Sequence, residues 1–157
     1  MPRKQTKSKK YSKKSSHKKT AKRSKSNKKF SNVNNSHIVK VLLELLNMVK
    51  LYHWKTRSFA QHKATDELYA KLNEHIDTFV EVLLGKDERR ITMTSKEMDL
   101  LDESNTTEFK QRIYEYRNFL IEMDRYFDST RDTDLLNIRD ELLADVNQFL
   151  YLMTFDK

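Results

Sequence analysis

Residues 52–85, YHWKTRSFAQHKATDELYAKLNEHIDTFVEVLLG, decide the fold. Within them, apolar side chains recur at intervals of three and four residues, which is typical of one face of an α-helix. These side chains are Leu68, Leu72, Ile76, Phe79 and Leu83. The spacing predicts a long helix B from about Phe59 to Leu84. Gly85, the only glycine of the chain, follows where a helix commonly ends, and it is predicted to be the helix stop.

Three further helices are predicted around helix B. Helix A runs from His37 to Thr56, with Asn35 or Ser36 as its N-cap. Helix C follows an N-cap at Asn105, and helix D comes after a short turn. The predicted core stripes of helices A, C and D are Ile38, Leu42, Leu45, Val49 and Tyr52; Phe109, Ile113, Tyr116, Leu120, Met123 and Phe127; and Leu135, Ile138, Leu142, Val146, Phe149 and Met153. Four amphipathic helices of this length predict an all-α four-helix bundle.

The lengths of the connectors predict how the helices are threaded. Only a few residues join helix A to helix B and helix C to helix D, so each pair is expected to be antiparallel. About 20 residues separate helix B from helix C, several times the usual bundle loop. Within them, Thr94 and Glu97 predict a capping box that opens a short helix reaching Leu101. A crossover between two helical hairpins is the layout of ferritin-like folds.

The composition excludes several classes of protein. One glycine is too few for a phosphate-binding loop or a dinucleotide-binding motif, and one glycine and one proline are too few for the turns of a β-sandwich. The absence of cysteine excludes disulfides and Cys-ligated zinc, so any metal is expected on His, Asp and Glu. No apolar run approaches the roughly 20 residues that span a bilayer, and no secretion signal follows the basic N-terminus. A soluble intracellular protein without a membrane partner is expected.

The charge is divided between two segments of opposite sign. Residues 1–30 hold 14 Lys and Arg and no acidic residue, whereas residues 31–157 hold 17 against 23 and carry −6 of the total of +8. Residues 1–30 contain two aromatic residues and almost no other apolar side chain, which is too little to offset the entropy lost on ordering. Residues 1–34 are therefore predicted to be a disordered basic arm that precedes a bundle of residues 35–157. Such arms commonly bind nucleic-acid phosphates without reading sequence; a localisation signal or a solubility tail is the alternative. The predicted nucleic-acid contacts are Arg3, Lys4, Lys7, Lys9, Lys10, Lys13, Lys14, Lys18, Lys19, Lys22, Arg23, Lys25, Lys28 and Lys29.

Two polar pairs on helix B are candidates for metal binding. His62 lies four residues before Asp66, and Asp77 lies four before Glu81, so each pair shares a helix face; a solvated face is the alternative. His53, near the end of helix A, can approach His62, and imidazole and carboxylate are ligands of iron, manganese and zinc. Asp66 and Asp77 are about 16 Å apart along the helix, so one chain cannot bring both pairs to one ion. A joint site requires a second subunit on a twofold axis near the middle of helix B.

The His-Trp pair at 53–54, the second His, its Asp and the later Asp-x-x-x-Glu resemble the Dps family of ferritin-like mini-ferritins. The C-terminal stretch TDLLNIRDELLADVNQFLYLM is similar to the last Dps helix, and the likeness covers about residues 35–155. The resemblance implies a diiron ferroxidase centre between subunits, with Trp54 beside it and Glu81 as the bridging carboxylate. Its ligands would be His53, His62 and Asp66 of one chain with Asp77 and Glu81 of its twofold mate.

The resemblance also implies a homo-oligomer, at least a twofold dimer and in the family a dodecameric shell. Such a shell oxidises Fe(II) with peroxide or oxygen, stores ferric mineral, and binds DNA through lysine-rich tails, which protects the DNA from oxidative damage. The expected location of the protein is the nucleoid or another DNA-containing compartment, such as a nucleus or a virion. Two alternatives stay open. In the first, the bundle has kept the five ligands but not the ferroxidase activity. In the second, the chain is a non-enzymatic DNA-condensing or packaging protein that uses the bundle as an oligomerisation scaffold.

Overall fold

The computed structural model describes residues 23–103 and 105–155, with side chains from residue 34 onwards. This part of the chain forms four α-helices and a single 3₁₀ turn, Met123–Arg125, and contains no strand. The helices are α1 Arg23–Lys55, α2 Phe59–Asp87, α3 Thr106–Glu122 and α4 Thr133–Leu152. The prediction of an all-α fold is confirmed. Within the same residues, no helix combines the length and the apolar character of a membrane span.

The helix α2 lies between α1 and α4, and α4 also packs against α3. The Asn35 side chain donates to the carboxylate of Asp87 at 2.7 Å, which places the packed part of α1 antiparallel to α2. Lys86, near the end of α2, donates to the carboxylate of Asp134 at the start of α4 at 2.8 Å. The helices α2 and α4 are therefore antiparallel as well.

The predicted apolar stripes form the core. All five stripe residues of helix A and all five of helix B are buried, because the three- and four-residue spacing places them on one helix face. In the later helices only Phe127 and Ile138 are half-buried instead of buried. Tyr52 stacks parallel to Phe109 with ring centroids 3.7 Å apart, and this contact joins the end of α1 to the start of α3.

Residues 88–105 connect opposite ends of the packed helices. The helix α2 ends beside Asn35, whereas α3 begins at Thr106, whose hydroxyl lies 2.9 Å from that of Tyr52 near the end of α1. The connector is held against α1 along its path. For example, the backbone N–H of Thr94 donates to the hydroxyl oxygen of Ser36 at 2.8 Å. The connector therefore follows the packed part of α1 from one end to the other.

The prediction of a short helix from Thr94 to Leu101 is wrong, because the described residues of the connector are not helical. The Thr94 hydroxyl, expected to be a cap, lies 2.9 Å from the hydroxyl of Ser36. The Ser95 hydroxyl oxygen accepts from the backbone N–H of Glu97 at 3.3 Å. Local bonds of this kind offer the backbone an alternative to the helix.

The predicted N-cap of helix A at Asn35 or Ser36 is also wrong. The helix α1 begins at Arg23, so that residues 23–34, assigned above to the disordered arm, are helical. Extending an existing helix requires less free energy than nucleating one, and lysine and arginine are good helix formers. The rest of the basic arm, residues 1–22, lies outside the described residues.

Gly85 is not the stop of α2. The helix continues to Asp87, and Glu88 adopts the left-handed conformation, with φ 50° and ψ 37°. The backbone N–H of Glu88 donates to the carbonyl of Gly85, and that of Arg89 to the carbonyl of Leu84, each at 3.3 Å. This is the Schellman arrangement with a glutamate in the position that glycine usually takes.

The end of α3 is fixed by a side chain of α4. The helix ends at Glu122, earlier than the predicted stripe, which extended to Phe127. Arg139 is buried, and its Nη1 donates to the carbonyl oxygen of Leu120 at 2.9 Å. Its Nη2 lies 2.8 Å from a carboxylate oxygen of Asp124. The guanidinium is therefore a second donor to the Leu120 carbonyl, which also accepts from the backbone N–H of Met123, and it links the end of α3 to α4.

Candidate metal centre

His53 and His62 lie side by side at the turn between α1 and α2. His53 is on the last turn of α1, and His62 is on the first turn of α2. Ser58 caps α2, since its hydroxyl oxygen accepts from the backbone N–H of Gln61 at 3.3 Å. The short turn stacks the two imidazole rings, with centroids 3.9 Å apart and planes inclined by 23°. The expected approach of His53 to His62 is therefore observed.

Each imidazole is bonded to the backbone of the other residue. His53 Nδ1 lies 3.1 Å from the carbonyl oxygen of His62, and His62 Nδ1 lies 3.0 Å from that of His53. A carbonyl oxygen only accepts, so both Nδ1 atoms carry protons, and each ring in its neutral form keeps its lone pair on Nε2. We call these two reciprocal bonds the imidazole clamp. Metal-binding histidines are commonly held this way, because a bond at one ring nitrogen directs the other nitrogen to the metal.

Asp66 extends the donor set of the imidazole clamp. Its Oδ1 lies 3.8 Å from Nε2 of His53, and the carboxylate is exposed. Of the three ligands that the resemblance assigns to one chain, the structure thus pairs His53 with His62 and places Asp66 near His53.

Trp54 follows His53 but does not enter the core. Its side chain is 68% exposed, and Lys50 Nζ lies 5.7 Å from its ring centroid. The same ammonium lies 4.4 Å from the ring of Tyr69 on α2. The tryptophan therefore lies on the surface of the chain beside the imidazole clamp.

Asp77 and Glu81 lie in the other half of α2, away from the imidazole clamp. Both are exposed and one helical turn apart, as their spacing predicts. The structure does not bring them to the histidines. Among the residues described here, no three His, Asp or Glu side chains are grouped so that they can hold a metal ion. The imidazole clamp with Asp66 is therefore not a complete site within one chain.

Sequence reasoning missed a second histidine–carboxylate contact. Nδ1 of His75, on α2, lies 2.7 Å from Oδ2 of the buried Asp145 on α4. The signal was present in helix D, where Asp145 lies on the apolar face between Leu142 and Phe149. A carboxylate on a buried face requires a partner, and His75 supplies it.

Most of the predicted nucleic-acid contacts, from Arg3 to Lys22, lie outside the described residues. Arg23, Lys25, Lys28 and Lys29 belong to the first turns of α1, whose first turn carries no acidic residue. Binding of nucleic acid by these residues stays a prediction.

The described residues define an all-α protein with an imidazole pair and a carboxylate at the turn of a helical hairpin. The chain belongs to a family of unknown function, DUF5856, which matches residues 53–153. The match begins at His53, so all five predicted ligands lie within it, and the basic arm lies outside. No curated protein and no solved structure matches the chain.

Proposed function

We propose that the protein is a Dps-like mini-ferritin whose sites lie between two copies of the chain. His53, His62 and Asp66 of one copy and Asp77 and Glu81 of the other bind Fe(II) as the substrate. The observation that carries the proposal is the imidazole clamp, because it occupies both Nδ1 atoms and leaves both Nε2 lone pairs for a cation. Imidazole nitrogen and carboxylate oxygen are donors that suit iron, and manganese and zinc are the expected competitors.

The path of the chain supports a ferritin-like arrangement. The hairpins α1–α2 and α3–α4 are joined by residues 88–105, which pass from the Asn35 end of α1 to the Tyr52 end. A crossover between two antiparallel hairpins is characteristic of ferritin-like bundles with one long connection.

The register of α2 supports a twofold axis at its middle. Asp66 with Asp77, and His62 with Glu81, share one midpoint in the sequence, between residues 71 and 72. One antiparallel pairing of two α2 helices therefore places both pairs opposite each other at the same time. The site would then occur twice in each dimer.

The exposed residues nearest to that midpoint are small. Ala70 and Asn73 are both exposed, and side chains of this size allow two helices to approach to about 8–10 Å. Ala70→Arg is accordingly expected to prevent the pairing without disturbing the core of the chain.

Iron passes through the proposed site as a substrate. Each Fe(II) gives up one electron, and one peroxide molecule takes up two electrons and two protons to form water. Carboxylate oxygens stabilise the Fe(III) product, because the ferric ion is the harder cation. The charge of −6 on residues 31–157 favours the entry of cations.

In the same proposal, the basic arm binds DNA through its phosphates. Lysine outnumbers arginine in residues 1–30, and only two aromatic residues are available to stack on bases, so the binding is expected to be independent of sequence. Several arms on one assembly would bind several duplexes with an avidity far above that of one arm. Consumption of iron and peroxide beside the duplex would protect it from oxidative damage.

The decisive experiment is complementation between two inactive variants. Fe(II) oxidation is followed by absorbance in the full-length wild type, in His53→Ala and in Asp77→Ala, and each variant is expected to lose most of the activity. Co-expression of the two variants gives mixed dimers in which one of the two sites carries no substitution. About half of the activity per mixed dimer should therefore return.

Matched controls separate this outcome from general damage. His37→Ala removes an exposed histidine from α1, and Glu74→Ala removes an exposed carboxylate from α2; both should oxidise iron like the wild type. Loss of activity in each single variant without recovery in the mixture would disprove the shared site. Unchanged rates in His53→Ala and Asp77→Ala would disprove the ferroxidase.

The alternative of a DNA-packaging protein is favoured by the finding that no complete three-ligand group occurs within the described residues of one chain. It predicts DNA condensation that survives substitution of all five ligands and a purified protein without iron. Both functions expect that deletion of residues 1–22, which removes ten of the 14 basic residues and leaves α1 whole, weakens DNA retention and reduces its salt dependence. Bound iron in the purified assembly therefore distinguishes them.

A further inference from the structure

Thr65 lies directly against the imidazole clamp. It is fully buried on α2, and its hydroxyl donates to the carbonyl oxygen of Gln61 at 2.7 Å. The same oxygen lies 3.3 Å from Nδ1 of His53. The carbonyl oxygen of His62, at 3.1 Å, is a second acceptor for this hydroxyl. Because the only hydroxyl proton is engaged with these carbonyl oxygens, the oxygen faces His53 with its lone pairs. It is therefore an acceptor for the Nδ1 proton.

His53 Nδ1 thus has two acceptors, the hydroxyl oxygen of Thr65 and the carbonyl oxygen of His62 at 3.1 Å. The ring is itself buried, with 7% of the residue exposed. A proton on Nε2 instead of Nδ1 would leave a lone pair against two acceptors in a place that water reaches poorly, which is unfavourable. The two acceptors select one of the two neutral tautomers.

We propose that Thr65 is a positioning residue that keeps the proton of His53 on Nδ1 and so directs Nε2 toward a cation. The selection of the tautomer stands on the contacts above, whereas its use for a cation rests on the proposed function. The sequence does not reveal this role, because a threonine within a helix is usually bonded to its own backbone, as Thr78 is to Glu74 at 3.0 Å.

The test uses Thr65→Val, which keeps the shape of the side chain and removes the hydroxyl. Thr65→Ser restores the hydroxyl, and Thr78→Val removes an equivalent helix bond at an exposed position of the same helix. The tautomer of His53 is read from long-range proton–nitrogen NMR correlations of the metal-free, full-length protein. A His53→Gln variant identifies its signals.

The wild type, Thr65→Ser and Thr78→Val are expected to carry the proton on Nδ1. In Thr65→Val the ratio of the two tautomers should shift by about fivefold toward Nε2–H, the equivalent of one ordinary hydrogen bond, since the carbonyl of His62 remains as an acceptor. Zn²⁺ serves as a redox-inert probe of the same donors. Its affinity should fall about 10-fold in Thr65→Val and stay within about twofold of the wild type in both controls.

A wild-type protein with the His53 proton on Nε2, or a Thr65→Val variant with unchanged tautomers and unchanged Zn²⁺ affinity, would overturn the assignment. The tautomer is measured without metal, so failure of the positioning role is distinguishable from failure of the iron chemistry. If iron oxidation fails in every variant while the tautomer shifts as expected, Thr65 keeps its positioning role and the ferroxidase is disproved.

Discussion

Substitution of Gly85 by alanine is expected to stabilise the protein, although a lone glycine at a predicted helix end usually resists substitution. Gly85 lies within α2 and does not have a positive φ. A Cβ atom built on it meets nothing within 4 Å. Alanine therefore fits without strain and restricts the unfolded chain more than glycine does.

The expected gain is about 0.5–1 kcal/mol in the free energy of unfolding, the usual difference between glycine and alanine in a helix. For a chain of this size it corresponds to a rise of about 1–4 °C in Tm. The measurement is urea unfolding followed by far-UV circular dichroism, at one fixed protein concentration because assembly shifts apparent stability.

Glu88→Gly is the companion variant. Glu88 has a φ of 50°, a conformation that is unfavourable by about 1–2 kcal/mol for a residue with a side chain. Glycine relieves that strain and loses part of the gain through its freer unfolded chain, so a net stabilisation of about 0.5 kcal/mol is expected. Glu88→Ala removes the same carboxylate and should show no such gain.

The two positions together make the reasoning refutable. If Gly85 were the left-handed stop of α2, Gly85→Ala would lower the free energy of unfolding by about 1 kcal/mol, and Glu88→Gly would bring no gain. That pattern of signs would show that the helix ends where the sequence predicts and not at Asp87.

Three further predictions concern other parts of the bundle. Arg139→Ala should lower the free energy of unfolding by about 1–3 kcal/mol in urea titrations, since it removes a buried guanidinium that bonds to the Leu120 carbonyl and to the Asp124 carboxylate. The exposed Arg125→Ala should stay within about 0.5 kcal/mol. Bonds from the hydroxyl and backbone N–H of Thr130 lower the pKa of Asp128, so its stabilisation is present above the ordinary aspartate pKa and is lost as pH falls through the folded-state pKa. Asp128→Asn should therefore flatten the acid limb of a plot of urea midpoint against pH, and parallel acid limbs would contradict this. Burial raises the pKa of Tyr116, so Tyr116→Phe should remove from an ultraviolet titration a phenol transition that lies above the ordinary range of tyrosine.

The core was the most predictable part of the structure. The stripes of helices A and B were found residue for residue, because burial follows the three- and four-residue spacing that the sequence displays directly. The boundaries were less predictable. Glycine commonly ends helices, yet α2 continues beyond Gly85. The last turn of α2 is held by backbone hydrogen bonds and by Lys86, whose side chain bonds to Asp134 on α4. Such contacts depend on a partner that is distant in the sequence.

The candidate site was likewise predictable only in part. The i, i+4 spacing of His62 and Asp66 is a local property of one helix, so it could be predicted. The imidazole clamp and the contact of Thr65 with His53 could not be predicted, because they depend on the angle between α1 and α2 that the turn sets.

The sequence by itself determined the helical class, the buried faces, the division of charge and the identity of the candidate metal donors, since these follow from residue type and from spacing within one helix. Only the tertiary structure decided which nitrogen of each imidazole is free, that the described residues of the connector are not helical, and that His75 is paired with Asp145. Each of these depends on hydrogen bonds between different helices, or between a helix and the connector, and their geometry exists only once the helices have packed.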